Sequence, residues 1–568
     1  MKFSNKYLPV ILLFLAFLVG AFFRFYKLGE TPVGLYVDEA SLGYNAYSVY
    51  KTGLDEYGKW LPVMFRSFST FQSPIYSYLL IPVIHFLDLS IFSVRLPSAF
   101  FGVLSIPLLY LFVKQLVIPA KAGIYSSDSK LKYFPLVAAM FLAISPWHIN
   151  YSRTAYEANI ALFFLLLGSL FLFHALKRSW FFLPAALSFV ISMMAYRAEI
   201  IIVPALLVVF VLRYSGALIS EFKQRLTPIL ISLVLSFIIF LPTLQIMGTP
   251  GFRARSSALS IFATSGQRPW GANEGKGLVH ELQNNHQVLA TREFLSLYSS
   301  YLSPRYMFSL GDSGPRLPYA GMGTFFVWQF PLYLIGLYFL IKERDLIDFK
   351  YFVFTLLLIS PIPAALTRDP YSTLRSLPLV VPQILIISFG LVKPWEILPA
   401  FSSKLKFSVV ALLVIFSSVR MFISIFYFND YFNSKFWNYG WETVVKEIPN
   451  LNPQLPIVVD SSRGDSYILM LFFLKYDPAL YQRENFEVSA SDYYTSLTRS
   501  DTKKLGNITV KSIVWGPDTD EAEQYLVADY LAMSEVQIDA HNLTIIKEIP
   551  FPDGKVALRI LKTNPKPK

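Results

Sequence analysis

About eleven apolar stretches follow one another through the first 427 residues, each close to the roughly 20 residues that cross a hydrocarbon core. They fall near 7–24, 94–114, 133–148, 158–176, 180–196, 199–213, 226–247, 324–341, 350–366, 374–392 and 406–427. In lipid, segments of this length satisfy their backbone hydrogen bonds only as helices. Composition agrees, for the 568-residue chain is 54% hydrophobic and only 15% charged, with a mean hydropathy of +0.46. Those values lie outside the range of soluble globular enzymes. A net charge of +12 would point to nucleic acid in a soluble protein. Here the Lys and Arg residues sit at the ends of apolar runs, where they orient helices, so nucleic acid is not an expected partner. The absence of cysteine excludes disulfides, thiolate chemistry and Cys-based zinc sites. Six scattered His residues show no HExxH or comparable metal spacing.

The first run, preceded by Lys2 and Lys6, is long for a signal-peptide core, and Phe22-Phe23-Arg24-Phe25-Tyr26 is not a small-residue cleavage site. It reads as an uncleaved first span with a cytoplasmic N-terminus. Alternate threading then puts Lys114, Lys121, Lys130, Lys132, Lys177, Arg178, Arg213, Lys223, Arg225, Lys342, Arg344, Lys350, Lys393, Lys404 and Lys406 at inner ends. The short outer turns hold only Arg153, Arg197, Arg368 and Arg375. That asymmetry is what the positive-inside rule requires of a multi-pass plasma (inner) membrane protein. Residues 74–90 are short, aromatic and interrupted by Pro82, His85 and Asp88, so they are expected to lie in the outer interface without crossing.

Two outer loops follow, at about 25–93 and 248–323, and the tail after residue 427 changes to mixed composition. The expected division is a membrane domain over 1–427 and an extracytoplasmic α/β domain over 428–568. In the tail, Ile457-Val458-Val459 and Ile508 to Trp515 read as strands, and Asp465 to Lys475 and Asp520 to Met533 as helices. Leu543 to Ile549 and Lys555 to Lys562, joined across Pro552-Asp553-Gly554, read as a hairpin. The expected fold is therefore an α-helical polytopic membrane protein of about eleven transmembrane helices with a C-terminal α/β domain.

Chemistry concentrates on the outer side of this threading. Asp38 and Glu39 stand side by side just after the first span. Adjacent carboxylates raise each other's pKa unless something pairs with or uses them, and a carboxylate there can take a proton from a hydroxyl. The plain alternative is that one of them supports the start of a helix near Ala40. A second cluster, Ser145 to Glu157, brings His148, Arg153 and Glu157 to the same face, with Trp147 and Tyr151 explained equally well by interfacial anchoring. Arg95, Arg197, Arg305, Arg316 and Arg375, with Arg253 and Arg255 nearby, break the positive-inside pattern, and as a group they suit an anionic phosphate; Arg95, Arg153, Arg305, Arg316 and Arg375 are the candidate phosphate ligands. The stretches Tyr301 to Asp312 and Leu366 to Pro378 read as site-lining loops, with Tyr44, His148, Tyr301 and Asp312 as candidate lining residues. Asp38, Glu39 and Glu157 are the acids available to a divalent metal, although no spacing requires one.

Taken in order, Tyr36-Val-Asp38-Glu39, Arg95-Leu-Pro-Ser98, Ser145-Pro-Trp-His-x-x-x-Ser-Arg153, Phe308-Ser-Leu-Gly-Asp312 and Leu374-Arg375-Ser-Leu-Pro378 resemble the membrane glycosyltransferases related to protein O-mannosyltransferases and aminoarabinose transferases. These are the C-type glycosyltransferases, and the resemblance covers about residues 8–400. It implies hexosyl or pentosyl transfer, with inversion, from a polyprenyl-phosphate-linked donor to a protein, lipid or glycan acceptor. Asp38 would then be the base, Glu39 would orient the acceptor or its neighbour, Glu157 is the candidate second acid, and Arg305 and Arg375 are the first choices for the donor phosphate. A polytopic transporter or lipid flippase is the rival from another class. Such proteins place ionisable groups at mid-membrane, whereas these spans are nearly free of charge.

Overall fold

Long apolar helices dominate the computed structural model, which describes residues 7–565 apart from 69, 118–129, 221, 265–276, 278–284, 313, 315–318, 320, 369 and 398–402. Among the described residues, eight helices are long and apolar enough to cross a membrane: Leu8–Phe25, Ile91–Val117, Glu157–Ala175, Glu199–Ser220, Lys223–Ile246, Ile347–Ala365, Leu377–Pro394 and Phe407–Phe436. The expected stretches near 133–148, 180–196 and 324–341 correspond to shorter apolar helices, Leu131–Ala143, Ser179–Ala195 and Gln329–Lys342. Residues 74–90 also form a short apolar helix, Pro74–Leu87, with Pro82 inside it. Lys2, Lys6, Lys121 and Arg316 lie outside the described residues.

The chain forms two compact units. A helical unit comprises Met1–Tyr26, Ser98–Gln245 and Arg255–Ser424, and a second unit comprises Lys27–Pro97, Ile246–Ala254 and Ile425–Lys568. Lys27–Pro97, which holds most of the first loop and the start of the helix Ile91–Val117, thus clusters with the tail.

Within the helical unit, the helices Gln329–Lys342 and Val380–Ile397 meet at paired glycines. A Cβ on Gly336 would lie 1.9 Å from the carbonyl oxygen of Ile386, and one on Gly390 would lie 1.8 Å from that of Leu332. The obstacles are backbone atoms, which no rotamer change can move aside. Small residues permit such close helix contact in a membrane, where association relies on packing. Gly390→Ala is expected to destabilise the protein by ~1–3 kcal/mol, the usual cost of overpacking. A lowered melting temperature in detergent would register this, and an unchanged one would mean that the two helices do not need the approach.

The second unit contains a two-stranded ribbon, β1 (Phe65–Ser67) and β2 (Thr70–Gln72), and a six-stranded mixed sheet. The sheet strands are β3 (Ile457–Asp460), β4 (Lys503–Leu505), β5 (Ile508–Lys511), β6 (Tyr525–Asp529), β7 (Thr544–Pro550) and β8 (Val556–Lys562). Their order is β4-β5-β3-β6-β8-β7, with β3 parallel to both β5 and β6 and the other pairs antiparallel. The hairpin β7–β8, strand β3 and the helix Ser466–Leu474 agree with expectation. The expected strand from Ile508 ends earlier, at Lys511. The expected helix over Asp520 to Met533 is wrong, because β6 occupies its middle. Tyr525, Leu526, Val527 and Ala528 are all buried, which suits a central strand covered on both faces. In a short apolar run, periodicity cannot separate that strand from a buried helix. Val458, Leu526, Ala528, Met533, Ile538, Leu543 and Leu561 form the core on one side of the sheet.

Buried polar contacts join the first outer loop to the tail inside this unit. The Tyr493 hydroxyl donates to Asp55 and accepts from the Arg66 backbone N–H at 2.7 Å, while Tyr494 accepts from Val63 N–H at 2.8 Å. Arg66 Nη1 donates to the Ser496 carbonyl at 2.8 Å, and Gln482 Nε2 to that of Asp55 at 2.8 Å. Beside them, both carboxylate oxygens of Glu56 are buried without a hydrogen-bond partner, and Lys503 pairs with Glu487 out of solvent.

Burial pushes Glu56 up to about 8, helped by repulsion from Asp55 and opposed by the charges of Lys503 and Arg499. Burial likewise pushes Asp55 up to about 6, against the hydrogen bonds from Tyr493, Lys59 and Tyr57 and the charge of Arg66. Both carboxyls therefore hold protons in the folded protein at pH values where the unfolded chain has lost them. Their contribution is complete below about pH 4 and is lost as pH rises through the folded values. Melting temperature is expected to fall between pH 5 and 8 for this reason. Glu56→Gln should flatten the upper part of that slope and stabilise the protein at pH 7.5 by ~1–3 kcal/mol. Parallel melting curves of the two proteins across this range would refute the assignment.

Candidate functional site

The acidic pair opens the helix Val37–Thr52, with Asp38 and Glu39 in its first turn, where the helix dipole favours negative charge. Gly34, at φ +86°, makes the turn that leads into this helix, and a Cβ there would meet the Trp437 carbonyl oxygen at 2.3 Å. The two carboxylates then part company. Glu39 is 1% exposed, its Oε2 accepting the Tyr36 N–H at 3.2 Å, while Asp38 stays half-buried and Gln72 Nε2 reaches its backbone carbonyl at 3.3 Å.

The partner of Glu39 is Arg95. Nε and Nη2 of Arg95 grip Oε1 and Oε2 of Glu39 at 3.0 Å each, a forked ion pair. Nη1 donates to the carbonyls of Leu28 (3.3 Å) and Pro32 (2.9 Å), and Nη2 also to that of Gly34 (2.8 Å). A guanidinium has five N–H donors, and all five are used on a side chain with no solvent exposure. Arg95, expected among the phosphate ligands, therefore braces the acidic helix instead. Tyr44 is also buried, its hydroxyl donating to the Tyr476 carbonyl at 3.0 Å and its ring edge-on to Tyr481, so it does not line an open site.

In the helical unit, three of the stretches expected on the outer side converge. Asp312 Oδ2 accepts from the backbone N–H and the hydroxyl of Thr373, both at 2.5 Å, and Oδ1 accepts from Gly314 N–H at 2.6 Å. Thr373 in turn bonds the Tyr151 hydroxyl at 2.7 Å, and its carbonyl accepts from Trp147 Nε1 at 3.1 Å. Burial raises the Asp312 carboxyl above its usual range, while the Thr373 and Gly314 hydrogen bonds and the Arg375 charge oppose the rise. Tyr301 accepts from Ser372 N–H at 2.9 Å and stacks on Tyr371, which also stacks on Tyr306. Between these stretches lies a cavity of about 20 Å³ bordered by Trp147, Asn150, Asp312, Tyr319, Thr324 and Thr373, room for a single water. Thr373, the hub of this network, carries no sequence signal of its own beyond its loop.

The remaining candidates divide by exposure. Arg153 is fully buried and Nη1 donates to the carbonyls of Phe23 (2.8 Å) and Tyr26 (2.9 Å), closing the C-terminal end of the first span as a cation there should. His148 is buried, with Nδ1 2.6 Å from Nη2 of Arg24, an arginine that the sequence reading did not single out. Both are occupied in holding helices together. Glu157 stands half-buried in the first turn of the helix Glu157–Ala175. Arg305 is exposed, and Arg375 is half-buried with Nη1 donating to Thr367 Oγ1 at 3.0 Å. Among the described arginines of the set, these two are the ones that are not fully buried.

Among the described residues, no three His, Asp or Glu side chains gather as a metal site would need, and the oxygens of Glu39 are taken by Arg95 and Tyr36. The residues present do not fit a divalent ion held through Glu39.

No protein-family model matches the chain, and no curated protein does either. Solved structures do. ArnT from Cupriavidus metallidurans in the apo state aligns over 100% of both chains with 11% identity and a TM-score of 0.51. The same protein bound to undecaprenyl phosphate aligns over 98% of both chains at 11% identity and a TM-score of 0.49. The archaeal oligosaccharyltransferase AglB from Archaeoglobus fulgidus, in complex with an inhibitory peptide and a dolichol-phosphate, aligns over 81% of this chain and 62% of its own at 15% identity and a TM-score of 0.45. With its membrane helices and C-terminal sheet, this chain has the C-type membrane glycosyltransferase fold that it shares with the aminoarabinose transferase ArnT.

Proposed function

We propose that this chain is a membrane glycosyltransferase that moves a hexosyl or pentosyl group from a polyprenyl-phosphate carrier to a protein, lipid or glycan acceptor. The observation that carries the reading is the split in the acidic pair. One carboxylate, Glu39, is locked against Arg95, and its neighbour Asp38 stays half-exposed at the start of the same braced helix. In this scheme Asp38 takes the proton of the acceptor group as its heteroatom bonds to the anomeric carbon. The bond from that carbon to the phosphate oxygen breaks on the opposite side, so the anomeric centre inverts and the polyprenyl phosphate leaves as an anion. Arg305 and Arg375 supply positive charge to the departing phosphate. Glu39 is a positioning residue, and Glu157 is the candidate second acid.

The threading favoured by the basic inner ends puts the N-terminus in the cytoplasm and the tail outside the plasma membrane. Proteoliposomes containing the full-length protein and a radiolabelled polyprenyl-phosphate sugar test the function directly. Labelled product together with released polyprenyl phosphate is expected, and Arg375→Gln should lower its formation by ~10-fold or more, in the range for removal of one charge-stabilising group. Movement of intact lipid-linked sugar between leaflets without release of polyprenyl phosphate would replace this reading with a flippase.

A further inference from the structure

A cavity of about 870 Å³ opens in the helical unit among the helices Glu199–Ser220, Gln329–Lys342 and Ile347–Ile359. It shares no lining residue with the converging outer stretches. Its walls are apolar, formed by Val209, Ile347, Phe354, Leu358 and Ile359, and its charge is confined to one end at Lys342, Arg344 and Lys350. The one acid among the lining residues, Glu343, is neutralised by Lys393 at 2.7 Å. Lys350 Nζ donates to the carbonyls of Ile341 (2.9 Å) and Glu343 (2.8 Å), which pins that cation at the rim. Lys342 and Arg344 are exposed. From Ile347 to Ile359 the wall helix rises about 18 Å at 1.5 Å per residue.

An apolar trough with cations at one end matches an amphiphile that carries its negative charge at one end. A soluble anion would leave the trough unused. A zwitterionic lipid would bring its own cation against the rim. A polyprenol is several times longer than the wall, whereas an acyl chain matches it. We propose that this cavity binds an anionic glycerophospholipid, with its phosphate at Lys342 and Arg344 and an acyl chain along the helix Ile347–Ile359.

Native mass spectrometry tests this on the full-length protein taken from nanodiscs of mixed dioleoyl-phosphatidylglycerol and dioleoyl-phosphatidylcholine. Wild type is expected to retain phosphatidylglycerol over phosphatidylcholine by ~10-fold, as two cations near a lipid surface should achieve. Lys342→Gln combined with Arg344→Gln, both at exposed positions, should bring the ratio close to one. Leu358→Trp, which fills the trough from a site that is 54% exposed, should reduce retention of both lipids. Equal retention of the two lipids by wild type, or a preference that survives the double substitution, overturns the proposal. So does undecaprenyl phosphate at equal concentration displacing phosphatidylglycerol from wild type.

Discussion

Replacing Asp38 with Asn is expected to slow glycosyl transfer by ~10²- to 10⁴-fold, the usual contribution of a positioned general base. On the barrier scale this is about 3–5 kcal/mol. Asn keeps the shape of the side chain and tolerates a helix start, so the structural cost should be limited to the lost charge–dipole term of ~0.3–1 kcal/mol. The combination separates chemistry from folding: the rate should collapse while the melting temperature moves little and donor binding persists. Unchanged transfer by Asp38→Asn in proteoliposomes would remove Asp38 from the mechanism. A collapse in rate and stability together would give it the bracing role here assigned to Glu39.

The second large effect is expected at Arg95. Removing one member of a buried ion pair leaves the other charge stranded, at a cost of ~3–5 kcal/mol. In Arg95→Met the stranded group is Glu39, and the carbonyls of Leu28, Pro32 and Gly34 lose their donor as well. The variant should express poorly or melt far below wild type. Glu39→Leu added to Arg95→Met removes the stranded charge and should recover a good part of the loss, since neighbouring substitutions in one network are not additive. Arg95→Lys keeps the charge but cannot fork, so it should fall between. Transfer measured on the rescued double variant completes the test. Recovery of stability without full activity supports a bracing role for the pair, and a stable, fully active Arg95→Met would contradict it.

Much of this protein was legible before any fold was known. The apolar runs near 94–114, 158–176 and 226–247 became the long helices Ile91–Val117, Glu157–Ala175 and Lys223–Ile246, because their length and hydropathy leave no other use for them in a bilayer. The hairpin across Pro552-Asp553-Gly554 was legible from its turn residues. Strand β6 was not, since its strand conformation depends on partners from β3 and β8 that lie far away in sequence. The candidate site shows the same division. Asp38 and Glu39 stand out as an acidic pair, and Asp312 and Thr373 lie in loops with visible polar clusters. Nothing in the residue order says that Glu39 is buried and Asp38 half-exposed, or that Arg95 and Arg153 spend their donors on backbone carbonyls.

Residue order alone specifies a helical membrane protein with a mixed tail, and it marks the acids and arginines that carry charge where lipid-facing chains rarely have it. Periodicity, length and turn chemistry are local properties, so a single strand of text contains them. Which of two adjacent carboxylates is braced, which arginines are consumed in the bracing, and the clustering of Lys27–Pro97 with the tail come from the three-dimensional packing. Those outcomes turn on whether each polar group finds a partner when it is desolvated, and the partners come from residues dozens to hundreds of positions away.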